Sequence, residues 1–189
     1  MSPDTVVQLA HGGGGRLTRE LIEREKVVAV FGGLHTTVAL AQVPVWHELR
    51  TPYMGAWAAG TEIVRNGRTP NFVFRVSAND DYADKFLVRY AAEVLKKTKP
   101  GLLLENTAWG QSNEVGLAKW LGQRKVRPMG IEKFNWNDPD MSPQLLRLKN
   151  AGADHIVMVA NAPEGAQVVK SRAKIGWDVP MVAHWGISG

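Results

Sequence analysis

The stretch that decides the fold runs from Val27 to Ala41: Val-Val-Ala-Val-Phe-Gly-Gly-Leu-His-Thr-Thr-Val-Ala-Leu-Ala. Its five leading apolar residues, three of them valine, have the length and continuity of a parallel strand covered on both faces. A double glycine ends the run, and helical apolar spacing then resumes across residues 37–49, with Pro44 as a kink or boundary. A strand that passes through small and hydroxyl residues into a helix is the first half of a β–α unit. Small residues let the backbone approach a ligand, and the amides and hydroxyls at a helix start suit an anion such as a carboxylate. The plainer use of Thr36 or Thr37 is to cap its own helix.

The same alternation extends in both directions. Residues 16–25 read as a helix with Leu17, Leu21 and Ile22 on one face. A short strand at 52–54 enters the small-residue loop Gly55-Ala-Trp-Ala-Ala-Gly60, and a polar stretch leads to a strand at 72–76. Asp80 or Asp81 caps the next helix, whose predicted buried stripe is Phe86, Leu87, Tyr90, Ala91, Val94 and Leu95. A strand at 102–104 precedes a helix capped by Ser112 that is expected to bury Val115, Ala118 and Leu121. Further strands fall at 129–134, 156–160 and 180–183. Between them lie a helix opened by Ser142-Pro143 and ended near Gly152, and a helix from Pro163 to Gly176 with Ala166, Val169 and Ala173 inward. Repeated β then α with short connections specifies an α/β fold of parallel sheets flanked by helices.

Composition narrows the functional classes. A chain of 189 residues, 44% apolar and 22% charged, suits one core or two small lobes. No apolar run is long enough to span a bilayer, and no export signal is visible at the start. The absence of cysteine excludes disulfides, thiolate metal sites and a cysteine nucleophile. The net charge of +5 comes from 23 basic residues spread along the chain. Their densest knots, at 96–99 and 124–127, fall at predicted helix ends where cations favour the dipole, so a solvated surface is expected rather than a nucleic-acid interface. His35, His47, His155 and His184 lack metal-ligand spacing, and no phosphate loop is present. His11-Gly-Gly-Gly-Gly15 resembles an oxyanion loop but no G-x-S-x-G elbow follows it. Asp80-Asp81 and Asp138-Pro-Asp140 read as capping and turn residues. The expectation is a non-enzyme without metal or cofactor.

Open α/β sheets bind ligands beyond the carboxyl ends of their strands. Five predicted junctions lie there: residues 33–37, 55–59, 106–110, 161–164 and 184–186. Three carry a tryptophan (Trp57, Trp109, Trp185) and two a histidine (His35, His184), a coincidence that favours a binding rim.

The order of motifs then resembles a known family. Arg16-Leu-Thr-Arg-Glu-Leu-Ile-Glu-Arg-Glu-Lys-Val-Val-Ala-Val-Phe-Gly-Gly33 with His35-Thr-Thr, and Asn71-Phe-Val-Phe-Arg-Val-Ser-Ala-Asn-Asp80, are similar to type I periplasmic binding proteins of the leucine/isoleucine/valine-binding kind. Ala108-Trp-Gly110, the run from Asp140 to Asp154 and Val179-Pro180 continue the match over about residues 16–189. The resemblance implies two Rossmann-like lobes, the first incomplete, that close by a hinge around a small ligand. It implies an extracytoplasmic, periplasmic location and an ABC permease as partner, and no nucleic acid. It assigns residues 1–15 no place, 16–74 to part of lobe one and 75–189 to most of lobe two, with the crossing at Val76 to Asn79. It places Thr36, beside Leu34, His35 and Thr37, on the ligand carboxylate, and Trp57 and Ala59, with Ala56 and Ala58, in the next pocket loop. Trp109 then covers the ligand, with Asn161, His184 and Trp185 near further contacts. Ala59 stands where a hydroxyl is expected, and His184-Trp185 offers no carboxylate for an ammonium group. The implied ligand is therefore a carboxylate, not necessarily an α-amino acid, with apolar bulk against the indoles. The family's missing segments would leave strand edges unpaired, so a homodimer or weak binding is expected. A ligand-sensing domain of a regulator or receptor shares this fold, and a doubly wound α/β enzyme is a third reading.

Overall fold

The computed structural model describes residues 14–188. Most of the predicted N-terminal segment, including Val6 to Ala10 and His11, lies outside the described residues. The chain divides into two compact units, one through Asn79 and one from Asp80 onward.

The first unit holds α1 (Gly14–Glu25), β1 (Val30–Gly32), α2 (Thr36–Glu48), β2 (Tyr53–Gly55), α3 (Thr61–Val64) and β3 (Val73–Arg75). Its three strands are parallel in the order β1-β2-β3, with Val30 beside Tyr53 and Tyr53 beside Val73. The core is built on Trp46 stacked on Tyr53, centroids 3.6 Å apart, with Ile22, Ala39, Val43, Ile63 and Val73 around them. The opening strand departs from its prediction. It begins at Val30, after Val28 (86% exposed), and Phe31 (73%) shares with Met54 and Phe74 a sheet face that lies open among the described residues. Pro44 does not end α2, because it sits on the exposed side, where a lost backbone hydrogen bond is replaced by water.

The second unit holds α4 (Asp80–Glu93), β4 (Pro100–Glu105), α5 (Ala108–Gln123), β5 (Gly130–Phe134), α6 (Ser142–Asn150), β6 (His155–Val159), α7 (Ala162–Lys174), β7 (Met181–Ala183) and a 3-10 turn, Trp185–Ile187. All four strands are parallel in the order β5-β4-β6-β7. Because β5 and β6 flank β4 on opposite sides, the strand order reverses between β4 and β6. In open α/β sheets ligands bind beyond the carboxyl ends at such a reversal. Period-two alternation divides the core: Leu103, Ile156 and Met158 pack on α6 and α7, while Leu102, Leu104, Val157 and Val159 pack on α4 and α5. This sheet is covered on both faces.

Each helix predicted for this unit is present, though α5 starts before its predicted cap and α3 of the first unit lies in a stretch read as a polar connection; the predicted buried faces hold only in part. On α4, Leu87, Val88 and Ala91 are buried, while Phe86 and Tyr90 are exposed, together with Tyr82 and, just past the helix, Val94. On α5, Thr107 is the cap, its Oγ1 accepting from the Gly110 amide, and Ser112 lies buried inside the helix. Val115 and Ala118 face outward, and Gly116, Leu117 and Leu121 face inward. On α7, Ala166, Val169 and Ala173 are exposed, and Gly165, Val168 and Ser171 are buried. Small residues explain the rotation. A Cβ on Gly116 would lie 2.0 Å from Asp84 Oδ2, and one on Gly165 would lie 2.7 Å from Ile187. Close approach selects these glycine-bearing faces over bulkier apolar ones.

Candidate ligand-binding site

In the first unit, the junctions after β1 and β2 form one stitched rim. Gly32 and Gly33 carbonyls accept from the amides of Ala56 (2.9 Å), Trp57 (3.2 Å) and Ala58 (3.0 Å). Gly33 has φ +91°, and a Cβ there would lie 1.8 Å from the Tyr53 hydroxyl. That hydroxyl donates to the Gly32 carbonyl at 2.7 Å, and burial pushes its pKa up to about 12, so it keeps its proton. The double glycine thus makes room for Tyr53 beneath the rim. His35 occupies the capping position of α2 without a side-chain cap, and neither Thr36 nor Thr37 fills that role. Thr36 is buried and its Oγ1 accepts from the Gly60 amide at 3.1 Å, which ties the helix start to the next loop. Ala58 and Ala59 are also buried; Leu34 and Trp57 are exposed, Thr37 is exposed, and Ala56 is half-buried. The rim therefore presents an uncapped helix amino terminus, an indole and a leucine. A cation that the sequence did not single out lies nearby: Arg75, at the end of β3, donates to the carbonyls of Gly60 (2.8 Å) and Ala58 (3.4 Å).

In the second unit, the residues at the carboxyl ends of β4 and β6 gather around Glu105, which carries no signal in the sequence and is only 2% exposed. Thr107 Oγ1 donates to one carboxylate oxygen at 2.9 Å and Asn161 Nδ2 to the other at 2.8 Å. Asn161 itself is half-buried, at the start of α7. Trp109 is 8% exposed; its Nε1 donates to Asp80 Oδ1 at 3.2 Å and its ring meets His184 edge-on at 5.1 Å. His184 is 1% exposed, with Nε2 3.0 Å from Asp80 Oδ1, and Trp185 tilts against it at 4.4 Å. Gly186 lies on the Trp109 ring, where a Cβ would stand 2.6 Å away. Trp109, Trp185 and His184 are thus brought together with Asp80. Trp109 and His184 form the floor, and Trp185 and Asn161 reach the surface.

Asp84, next to this floor, is fully buried, and neither of its oxygens has a hydrogen-bond partner among the described residues. Burial first, then the negative charges of Asp80 and Asp81, push its pKa up to about 9, with Lys119 opposing. It is a neutral acid at neutral pH. Asp81 accepts from Lys119 (2.7 Å) and from Trp120 Nε1 (2.9 Å), and Asp138 and Asp140 accept from the Asn135 and Ser142 amides. These acids are engaged structurally. Among the described residues no group of three or more histidine, aspartate or glutamate side chains could hold a metal ion, and no helix is long and apolar enough to cross a membrane.

This architecture recurs in solved structures. An R. palustris ABC-transporter solute-binding protein in complex with 4-hydroxybenzoate superposes with TM-score 0.82 at 22% identity, covering 92% of this chain and 47% of the other. A second R. palustris solute-binding protein, in complex with benzoate, gives 0.82 at 20% identity over 93% and 48%. A leucine-binding protein from Thermotoga maritima gives 0.81 at 17% identity over 92% and 49%. The chain spans about half the length of these proteins. No curated protein matches it by sequence. A periplasmic binding protein family model, however, matches residues 8–188, along the whole run of β–α units that builds both rims. The chain belongs to the periplasmic binding protein family.

Proposed function

We propose that the chain serves in the solute-binding component of an ABC importer and takes a small carboxylate with an aromatic body. The carrying observation is the fate of Glu105. The carboxylate placed at the strand-order reversal is buried and held by Thr107 and Asn161, so it presents no exposed anionic partner to an ammonium group. What the rims offer instead is the uncapped start of α2, suited to a carboxylate, and the accessible indoles of Trp57 and Trp185, suited to a ring. The solved proteins in complex with benzoate and 4-hydroxybenzoate support this class of ligand, and the leucine-binding protein supports the carboxylate end of it. Leu34, His35, Thr36 and Thr37 would then face the carboxylate. In the first unit Ala56, Trp57, Ala58 and Ala59 would line the rim beside them; in the second unit Asn161 and Trp185, backed by Trp109 and His184, would offer a contact surface of their own. An extracytoplasmic location and permease subunits as partners follow from this reading.

Thermal unfolding against benzoate, 4-hydroxybenzoate, leucine and acetate tests it. Aromatic carboxylates should raise the midpoint with concentration, reaching about 2.7 kcal/mol of added stability at a hundredfold excess over Kd. Trp57→Ala should weaken that response about tenfold with the unliganded midpoint unchanged, since the indole is exposed. Leucine active while both benzoates are inert would overturn the aromatic assignment, and silence from all four would overturn the binding role.

A further inference from the structure

The two basic knots that lie apart in the sequence are brought together in the fold. Residues 96–99 follow α4 and residues 124–127 follow α5; both lead into the paired strands β4 and β5, where the Met129 amide donates to the Pro100 carbonyl at 2.8 Å. Between the two helices runs a groove of about 230 Å³ lined by Lys85, Val88, Arg89, Trp120, Gln123 and Arg124. It adjoins a second hollow of about 160 Å³, sharing Val88 and Arg124, whose floor includes Leu121, Val126 and Val157 and whose rim carries Lys97. The trough lies toward the amino-terminal ends of β4 and β6, where Pro100 and His155 line it, at the opposite end of the sheet from Glu105.

Its chemistry is consistent along its length, with apolar atoms at depth and cations at the lip. Lys85 Nζ stands 4.8 Å from the Trp120 ring centroid and Lys119 Nζ 4.5 Å, while the Arg89 guanidinium lies 5.7 Å over Phe86, which is half exposed. Of the acids on these helices, Asp81 is engaged by Lys119 and Trp120, Glu93 by Arg124 and Glu114 by Lys133, and Asp84 is buried away from the trough's lip. Lys85, Arg89 and Lys97 make no ion pair among the described residues.

We infer that the α4–α5 trough is a docking groove for an acidic, amphipathic segment of a partner protein, with apolar side chains against Trp120, Val88 and Leu121 and carboxylates on Lys85, Arg89 and Lys97. Charge complementarity selects this occupant. A second copy paired symmetrically through the trough would oppose these cations to themselves. A bilayer surface requires apolar groups that stand proud of the charges, whereas here the trough's apolar atoms are recessed between two helices. An acidic amphipathic segment matches both the depth and the lip.

Anisotropy of a fluorescein-labelled peptide of alternating glutamate and leucine or phenylalanine, with a lysine twin as control, tests this on the intact chain. The acidic peptide should bind saturably and weaken at least tenfold between low salt and about 0.3 M salt, and the twin should not bind. Lys85→Glu combined with Arg89→Glu should weaken the acidic peptide at least tenfold with the melting midpoint unchanged, because both side chains are exposed. Absence of saturable binding, or equal binding by the charge-reversed variant, overturns the proposal. So does displacement of the peptide by phosphatidylglycerol vesicles at equal salt, which assigns the trough to a membrane. A dimer in sedimentation that excludes the peptide likewise overturns it in favour of a second copy.

Discussion

At the scale of the residue, Gly33 and Asp84 show how much depends on single atoms. Gly33 combines a left-handed backbone with a Tyr53 hydroxyl where its side chain would be. Gly33→Ala should cost about 1–3 kcal/mol, read as a lower urea midpoint with unchanged slope. A midpoint within error of the parent would show that the rim can yield around Tyr53. Asp84 makes a prediction about pH. Its folded pKa, about 9, lies above the ordinary 3.8, so the folded state holds a proton that the unfolded state has released. That contribution is complete below about pH 4 and is lost as pH rises toward 9. Asp84→Asn should flatten this decline and be more stable than the parent at pH 8, measured by denaturation across the range. Parallel curves for the two proteins would remove Asp84 as the cause.

At the scale of the element, helices α4, α5 and α7 place exposed apolar residues beside buried small ones. Val115 is 65% exposed and Leu117 is fully buried, because a two-residue step turns a helix by roughly 200°. Val115→Lys should therefore change stability by less than about 0.5 kcal/mol, and Leu117→Ala should cost about 2–5 kcal/mol. Comparable losses from both would mean that the outward face of α5 is covered in solution. The same reasoning makes Gly116→Ala costly at a position that looks innocuous in the sequence, because the new methyl meets Asp84. Apolar content alone did not reveal the inward face; how closely each residue lets the helix approach its neighbours did.

At the scale of the whole molecule, the two units differ in how their sheets are protected. Every residue of β4 and β6 is buried, whereas β1, β2 and β3 are three residues each and expose Phe31, Met54 and Phe74. Hydrogen exchange should be slowest in β4 and β6, with β1–β3 opening at lower free energy. Equal protection in both sheets would show that the chain opens only as one cooperative body.

The β–α order, the parallel sheets and the rim positions at Leu34 to Thr37 and at Trp57 were legible in the sequence, because strand length, helix spacing and the small residues between them are local properties. The basic knots at 96–99 and 124–127 were equally visible, but not their adjacency, which depends on β4 pairing with β5. Arg75 and Glu105 carried no local signal, since each acquires its place from partners far along the chain: Gly60 for one, Asn161 for the other. Tertiary structure alone decided which face of α4, α5 and α7 is buried, and that Trp109 and His184 support the rim from below. Periodicity reports that a helix has an apolar side; only the packed sheet, through the space that glycine and serine leave, selects which side that is.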